Sequence, residues 1–165
     1  MPSEDEEVGS GQWAVGSGQL AHGKLPERAP NLNLETKSPV FVIDGKPLAL
    51  ERPRFCPKSG RMYDCQKKEK WVWGEIIKMQ LSTSWIPWCN IALKLCLRFF
   101  IIPVLADTPE GKYHISRPDL SNLVKYIEDV ASGIVYTNDC FISVIYASKR
   151  WSSNPRTEFW LEVIP

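Results

Sequence analysis

Asp119-Leu120-Ser121-Asn122-Leu123-Val124-Lys125-Tyr126-Ile127-Glu128-Asp129-Val130-Ala131-Ser132-Gly133 is the stretch on which the fold turns. Leu120, Leu123, Val124, Ile127, Val130 and Ala131 recur at helical spacing and make one apolar stripe. Ser121, Asn122, Lys125, Glu128, Asp129 and Ser132 fall on the opposite, polar face. Gly133 is placed to stop the helix, because a residue without Cβ takes the left-handed conformation that follows a last turn. The stripe needs an apolar surface to cover, and the flanking sequence supplies one.

Upstream, Ile91, Leu93, Leu95, Leu97, Phe99 and Ile101 alternate with Ala92, Lys94, Cys96 and Arg98, the period of two of a half-buried strand, which predicts the central strand. Before it, Trp73, Ile76, Ile77 and Leu81 mark one face of a first helix over about 66 to 82. Val40-Phe41-Val42-Ile43 predicts a short strand, ended by the turn residues Asp44-Gly45-Lys46-Pro47. Between that strand and the first helix, residues 51 to 70 hold seven cations, two prolines and a glycine, and read as an exposed basic loop. Downstream, 141 to 149 and 157 to 164 alternate apolar and polar positions and read as a hairpin joined by Arg150-Trp151-Ser152-Ser153-Asn154-Pro155. The order β-α-β-α-β-β describes an α+β domain, a small mixed sheet with two helices packed on it.

Composition bounds the rest. With 165 residues, 44% of them hydrophobic, the chain can bury the core of one domain. Its longest apolar run, Leu95 to Pro103, is broken by Arg98 and falls short of the roughly 20 residues of a membrane span. The acidic start Met-Pro-Ser-Glu-Asp-Glu-Glu lacks the features of a secretory signal, so a soluble, intracellular protein without membrane contact is expected. Cys56, Cys65, Cys89, Cys96 and Cys140 form no CxxC pair and have only His22 and His114 as imidazole partners, which predicts reduced thiols rather than a zinc centre. Residues 1 to 38, rich in Gly, Ser and Pro with Gly-Ser-Gly-Gln at 9 to 12 and again at 16 to 19, predict a disordered tail of net charge −3. The body, 39 to 165, then carries +4, compatible with a polyanionic partner.

Asp119 opens the second helix. A helix from 119 to 132 advances roughly 20 Å, and residues 133 to 138, if extended, span about 20 Å in return. Asp139 is thus expected beside Asp119, and two carboxylates so placed suit a hard divalent cation such as Mg²⁺. Each residue also has a plainer role: an aspartate at a helix start caps it, and Asn138-Asp139 is turn chemistry.

Arg117-Pro118-Asp119-Leu120-Ser121-Asn122-Leu123-Val124-Lys125, with Glu128-Asp129-Val130, Gly133-Ile134-Val135-Tyr136 and Asn138-Asp139, resembles the RusA-type Holliday-junction resolvases. Gly45-Lys46-Pro47 and Arg52-Pro53-Arg54 resemble the early strand and basic loop of that family, and the resemblance covers about 40 to 163. It implies a dimeric, Mg²⁺-dependent endonuclease that makes paired nicks in four-way DNA junctions. Residue by residue, it implies that Asp119 and Asp139 are catalytic carboxylates holding the metal and that Lys125 is the catalytic lysine. Ser121, however, stands where the family has a second essential aspartate, and Asn138 where an adjacent acid is common. A hydroxyl neutralises none of the ion's charge, so the resemblance also admits a non-catalytic relative that binds branched DNA with a disabled metal site.

Around that centre, Ser121, Asn122 and Asp129 are accessory candidates. Asp129 lies roughly 15 Å along the helix from Asp119, too far to complete one site with it directly. Arg52, Arg54, Lys58, Arg61, Arg117, Lys149 and Arg150 are candidates for phosphate contacts, which position DNA without reading its sequence. A protein-binding domain is the third reading, resting on Trp71, Trp85 and Trp88 as exposed anchors.

Overall fold

A computed structural model describes residues 36–103 and 110–165. The elements are β1 (Phe41–Asp44), β2 (Arg54–Cys56), β3 (Arg61–Tyr63), α1 (Lys67–Gln80), β4 (Leu93–Ile101), α2 (Leu120–Ala131), β5 (Ile142–Trp151) and β6 (Arg156–Val163), with a 3-10 turn at Asp139–Phe141 before β5. A mixed sheet of order β1-β6-β4-β5 carries the core, and β2 and β3 form a separate two-stranded hairpin. The fold is the expected α+β architecture of two helices on a small mixed sheet.

The period of two in β4 becomes burial. Leu93, Leu95, Leu97, Phe99 and Ile101 point at the helices and are buried. Trp73 and Ile77 of α1 and Leu123, Tyr126, Ile127 and Val130 of α2 close over them. Each large side chain so enclosed contributes roughly 1.5 to 3 kcal/mol. Register fixes the far side of the core: Phe41 of β1 lies opposite Phe159 of β6, and their rings stack at 4.7 Å.

Three expectations change. The basic segment 51 to 70 is no simple loop: Arg54 pairs with Tyr63 and Cys56 with Arg61, around a tip that turns at Gly60, φ 66°. The last two strands form no hairpin, because β4 lies between them, parallel to β5 and antiparallel to β6. Their alternation is real, but alternation does not name the neighbour. A link of four residues crosses the roughly 10 Å of two strand spacings easily, and Ser152 donates its N–H to Ile101 O as the link passes the end of β4. The expected tail boundary also moves: Ser38 is buried and exchanges hydrogen bonds with Leu161, so β6 engages the chain before residue 39. The rest of that tail, 1–35, lies outside the described residues.

Among the described residues no helix is long and apolar enough to cross a membrane. Cys56, Cys65, Cys89, Cys96 and Cys140 are all free thiols. Trp71 is exposed, but Trp85 and Trp88 pack partly against the core, so the three do not form one exposed set.

Candidate active site

Asp119 occupies the N-cap of α2 in an extended conformation, yet its side chain makes no capping hydrogen bond. Its backbone carbonyl takes up the first turn instead, accepting from Asn122 and Leu123 N–H. The carboxylate is therefore exposed and uncommitted. It borders a groove of about 730 Å³ whose walls include Lys46, Glu51, Gln66, Arg117 and Asn122.

Two supports hold that groove. On one wall, Leu50 N–H donates to Asn122 O at 2.8 Å, tying the chain after β1 to the first turn of α2. Gln66, buried at the head of α1, receives Glu51 N–H on Oε1 at 2.7 Å and donates Nε2 to Ala49 O at 2.9 Å. On the other wall, Lys149 of β5 donates its ammonium to Pro118 O at 2.7 Å and to Ser116 O. His114 N–H donates to Lys149 O, and the His114 Nδ1 accepts from Ser116 N–H at 3.2 Å. The buried imidazole lies 4.0 Å from the Trp151 ring. Burial and the Lys149 ammonium hold His114 below the usual imidazole range.

Asp139 stands elsewhere. The return from α2 is not extended: Gly133, φ 77°, donates to Tyr136 O at 2.7 Å, and Ile134 and Val135 N–H both donate to Ala131 O. Residues 132 to 136 thus close a tight turn at the helix end instead of running back along it. The seven steps from Ile142 to Lys149 then advance about 23 Å along β5, and the Lys149 end is the one tied to Pro118. Asp139, at the other end, sits within the field of Glu128, which lies nine residues, about 14 Å, along α2 from Asp119. Burial, with the carboxylates of Asp139 and Asp129, pushes Glu128 above the ordinary glutamate range. The expectation that Asp139 returns beside Asp119 within one chain is therefore not met. Asn138 supplies the turn chemistry there, accepting Cys140 N–H at 2.9 Å, and the Asp139 carboxylate remains exposed.

Between the two acids runs the polar face of α2. Ser121 and Lys125 are exposed on it one turn apart, and among the described residues Lys125 makes no ion pair. Asp129 belongs to a different contact: Lys70 of α1 reaches it at 3.0 Å and Asp64 at 2.8 Å, a tether between the helices and the β2–β3 hairpin.

Of the candidate phosphate contacts, Arg52, Lys58, Arg61 and Arg117 are exposed, and Arg54 is exposed beside Glu51 at 3.1 Å. Lys149 and Arg150 are not free in the same way. Lys149 is bonded to the two carbonyls above, and Arg150 donates to Gly111 O and Tyr113 Oη, both at 3.1 Å, with its guanidinium over the Tyr113 ring. Both cations brace the segment leading to Asp119. Gln66 and Glu51 carried no sequence signal, since their role follows from a tertiary approach of α1 to the 49–51 strap.

The family model for endodeoxyribonuclease RusA matches residues 44–162. The chain belongs to the RusA family, whose members are junction-resolving endodeoxyribonucleases that act on branched DNA and generally depend on divalent metal. No curated protein matches it in a direct comparison.

Proposed function

We propose that this chain is a Mg²⁺-dependent endonuclease that cuts four-way DNA junctions as a homodimer, in recombination and repair. The observation that carries this reading is the uncapped Asp119 carboxylate at the mouth of a groove edged by Lys46 and Arg117. A carboxylate kept out of its capping bond is available to an oxygen-seeking cation, and the cations beside it attract a phosphate backbone. Lys125, one turn beyond Ser121 and without an ion pair among the described residues, would face the negative charge that builds on the scissile phosphate.

One chain alone does not bring its two implied metal carboxylates onto one ion, since Asp119 and Asp139 attend different ends of α2. Two-fold symmetry of the junction calls for two sites related by the same axis, which supports the dimer.

Ser121 favours the second reading, a branched-DNA-binding relative without cleavage. Its hydroxyl brings no negative charge to a site whose family pattern has an aspartate there. Incubating the protein with an end-labelled synthetic four-way junction, with and without Mg²⁺, separates the two. Paired nicks that need the metal support the nuclease, and firm binding without nicks supports the relative.

A further inference from the structure

The β2–β3 hairpin buries almost nothing of itself. Five of its six strand residues are exposed, and none contributes to the core. Phe55 and Met62 are exposed at 59% and 61%, although nothing in the folding of the domain calls for large apolar side chains there. Register sorts the arm into two faces. Phe55 lies opposite Met62, whereas Arg54 lies opposite Tyr63 and Cys56 opposite Arg61. Successive strand residues point to opposite sides, so Phe55 and Met62 share one face while Arg54 and Arg61 share the other. Lys58 is exposed in the turn between the strands. The feet of the arm are fixed beside the Asp119 groove: Glu51 N–H donates to Gln66 Oε1, Gln66 N–H donates to Asp64 Oδ1 at 2.8 Å, and Lys70 joins Asp64 to Asp129 of α2. Glu51 and Gln66 line that groove, and Phe55 stands four residues from Glu51, about 13 Å of extended chain.

We propose that Phe55, with Met62 beside it, stacks on a base pair laid open at the branch point, and that this contact gives the protein its preference for branched over continuous DNA. This rests on the branched-DNA binding common to both readings above. A nucleic-acid strand carries phosphates on one side and bases on the other, and the arm matches it with cations on one face and an aromatic ring on the other. The cations fix the class of occupant, since Arg54, Lys58 and Arg61 flank the apolar pair and complement a polyanion. Selectivity follows from what insertion costs. Within continuous duplex, a ring can enter only after two stacked pairs are parted, at a cost of a few kcal/mol. At a branch point the arms end and their last pairs lack continuous stacking, so the same ring gains a stack with less to undo. The 13 Å reach equals about four steps of a nucleic-acid strand, so a phosphate in the groove and a base at Phe55 can belong to one junction.

The test compares the full chain with Phe55→Ala, Phe55→Trp and Lys58→Ala, measuring affinity for a labelled four-way junction and for a continuous duplex of equal length, without divalent metal so that cleavage plays no part. Phe55→Ala should weaken junction binding about tenfold or more, the loss expected of one base–aromatic stack. Duplex binding and the salt slope should stay as they were, because no phosphate contact has gone. Phe55→Trp should keep the junction preference, since its ring stacks as well. Lys58→Ala should weaken both DNAs alike and lower the slope. Urea midpoints and sedimentation accompany each variant, and an exposed side chain should leave both unchanged. Phe55→Ala that binds junction as the unsubstituted protein does, or that loses junction and duplex equally, overturns the proposal and leaves the branched-DNA reading intact. A change of oligomeric state in Phe55→Ala also overturns it, by showing that the ring contacts another copy of the chain. An unsubstituted protein with no preference for the junction overturns the proposal and the branched-DNA reading together.

Discussion

The ammonium of Lys149 lies 2.7 Å from the carbonyl oxygen of Pro118, the residue immediately before Asp119. A cation on strand β5 thus sets where the first acid of the site begins. Lys149→Met keeps the stem and removes the donor. The loss of charged hydrogen bonds of this kind costs about 1.5 to 3 kcal/mol, measurable by urea denaturation. Cleavage should fall, while the salt dependence of junction binding stays as it was, because no phosphate contact has been lost. A shallower salt slope would show Lys149 on the DNA instead.

His114 makes stability depend on pH in the same segment. Its folded pKa lies below its unfolded value of about 6.5, through burial and the nearby Lys149 charge. The stability it contributes is therefore present above about pH 6.5 and is lost as pH falls through the folded pKa, where the unfolded chain already binds the proton. Thermal melting between pH 7.5 and 5 should show the decline, and His114→Gln should flatten it.

Ser121→Asp adds a carboxylate on the α2 face one turn before Lys125. If the unsubstituted protein cuts junctions, the Mg²⁺ needed for half-maximal rate should drop and the rate rise, by about tenfold for each 1.4 kcal/mol of added stabilisation. Asp119→Asn should abolish cutting and leave binding equal or tighter, since it removes a negative charge from the phosphate's surroundings. Filter binding and cleavage on the same junction separate the two effects.

The β2–β3 hairpin should carry phosphate contacts. Lys58→Ala and Arg61→Ala should each lower the log-log salt slope of binding by about 0.9. Arg150→Ala should leave the slope unchanged, because its guanidinium is held by Gly111 and Tyr113. Titrations at four salt concentrations would decide it.

What could be read from the residues was local. The stripe from Leu120 to Ala131 and the alternation in β4 gave both elements and their buried faces, since burial imposes those periods directly. Strand partners were not readable: the alternation of β5 and β6 is the same whether they pair with each other or flank β4. The expected meeting of Asp119 and Asp139 failed for a related reason. Chain length allows the return, but the hydrogen bonds of Gly133, Ile134 and Val135 choose a compact turn. Among the cations, exposure of Arg61 and internal bonding of Lys149 look alike in sequence, because both follow from which backbone carbonyls the fold leaves within reach.

The position of β6 also governs when this protein can become itself. Among the described strands β1 pairs with β6 alone, and β6 enters between β1 and β4. On a ribosome, β4, α2 and β5 can assemble as a parallel crossover unit once they emerge, but β1, made about a hundred residues before β6, has no strand to join until the last strand arrives. Of the side chains that cover Phe41 and Ile43, those of α1 emerge early and Phe159 only with the last strand. The N-terminal strand is thus the last to be secured, and completion of the sheet coincides with arrival of the C-terminal one.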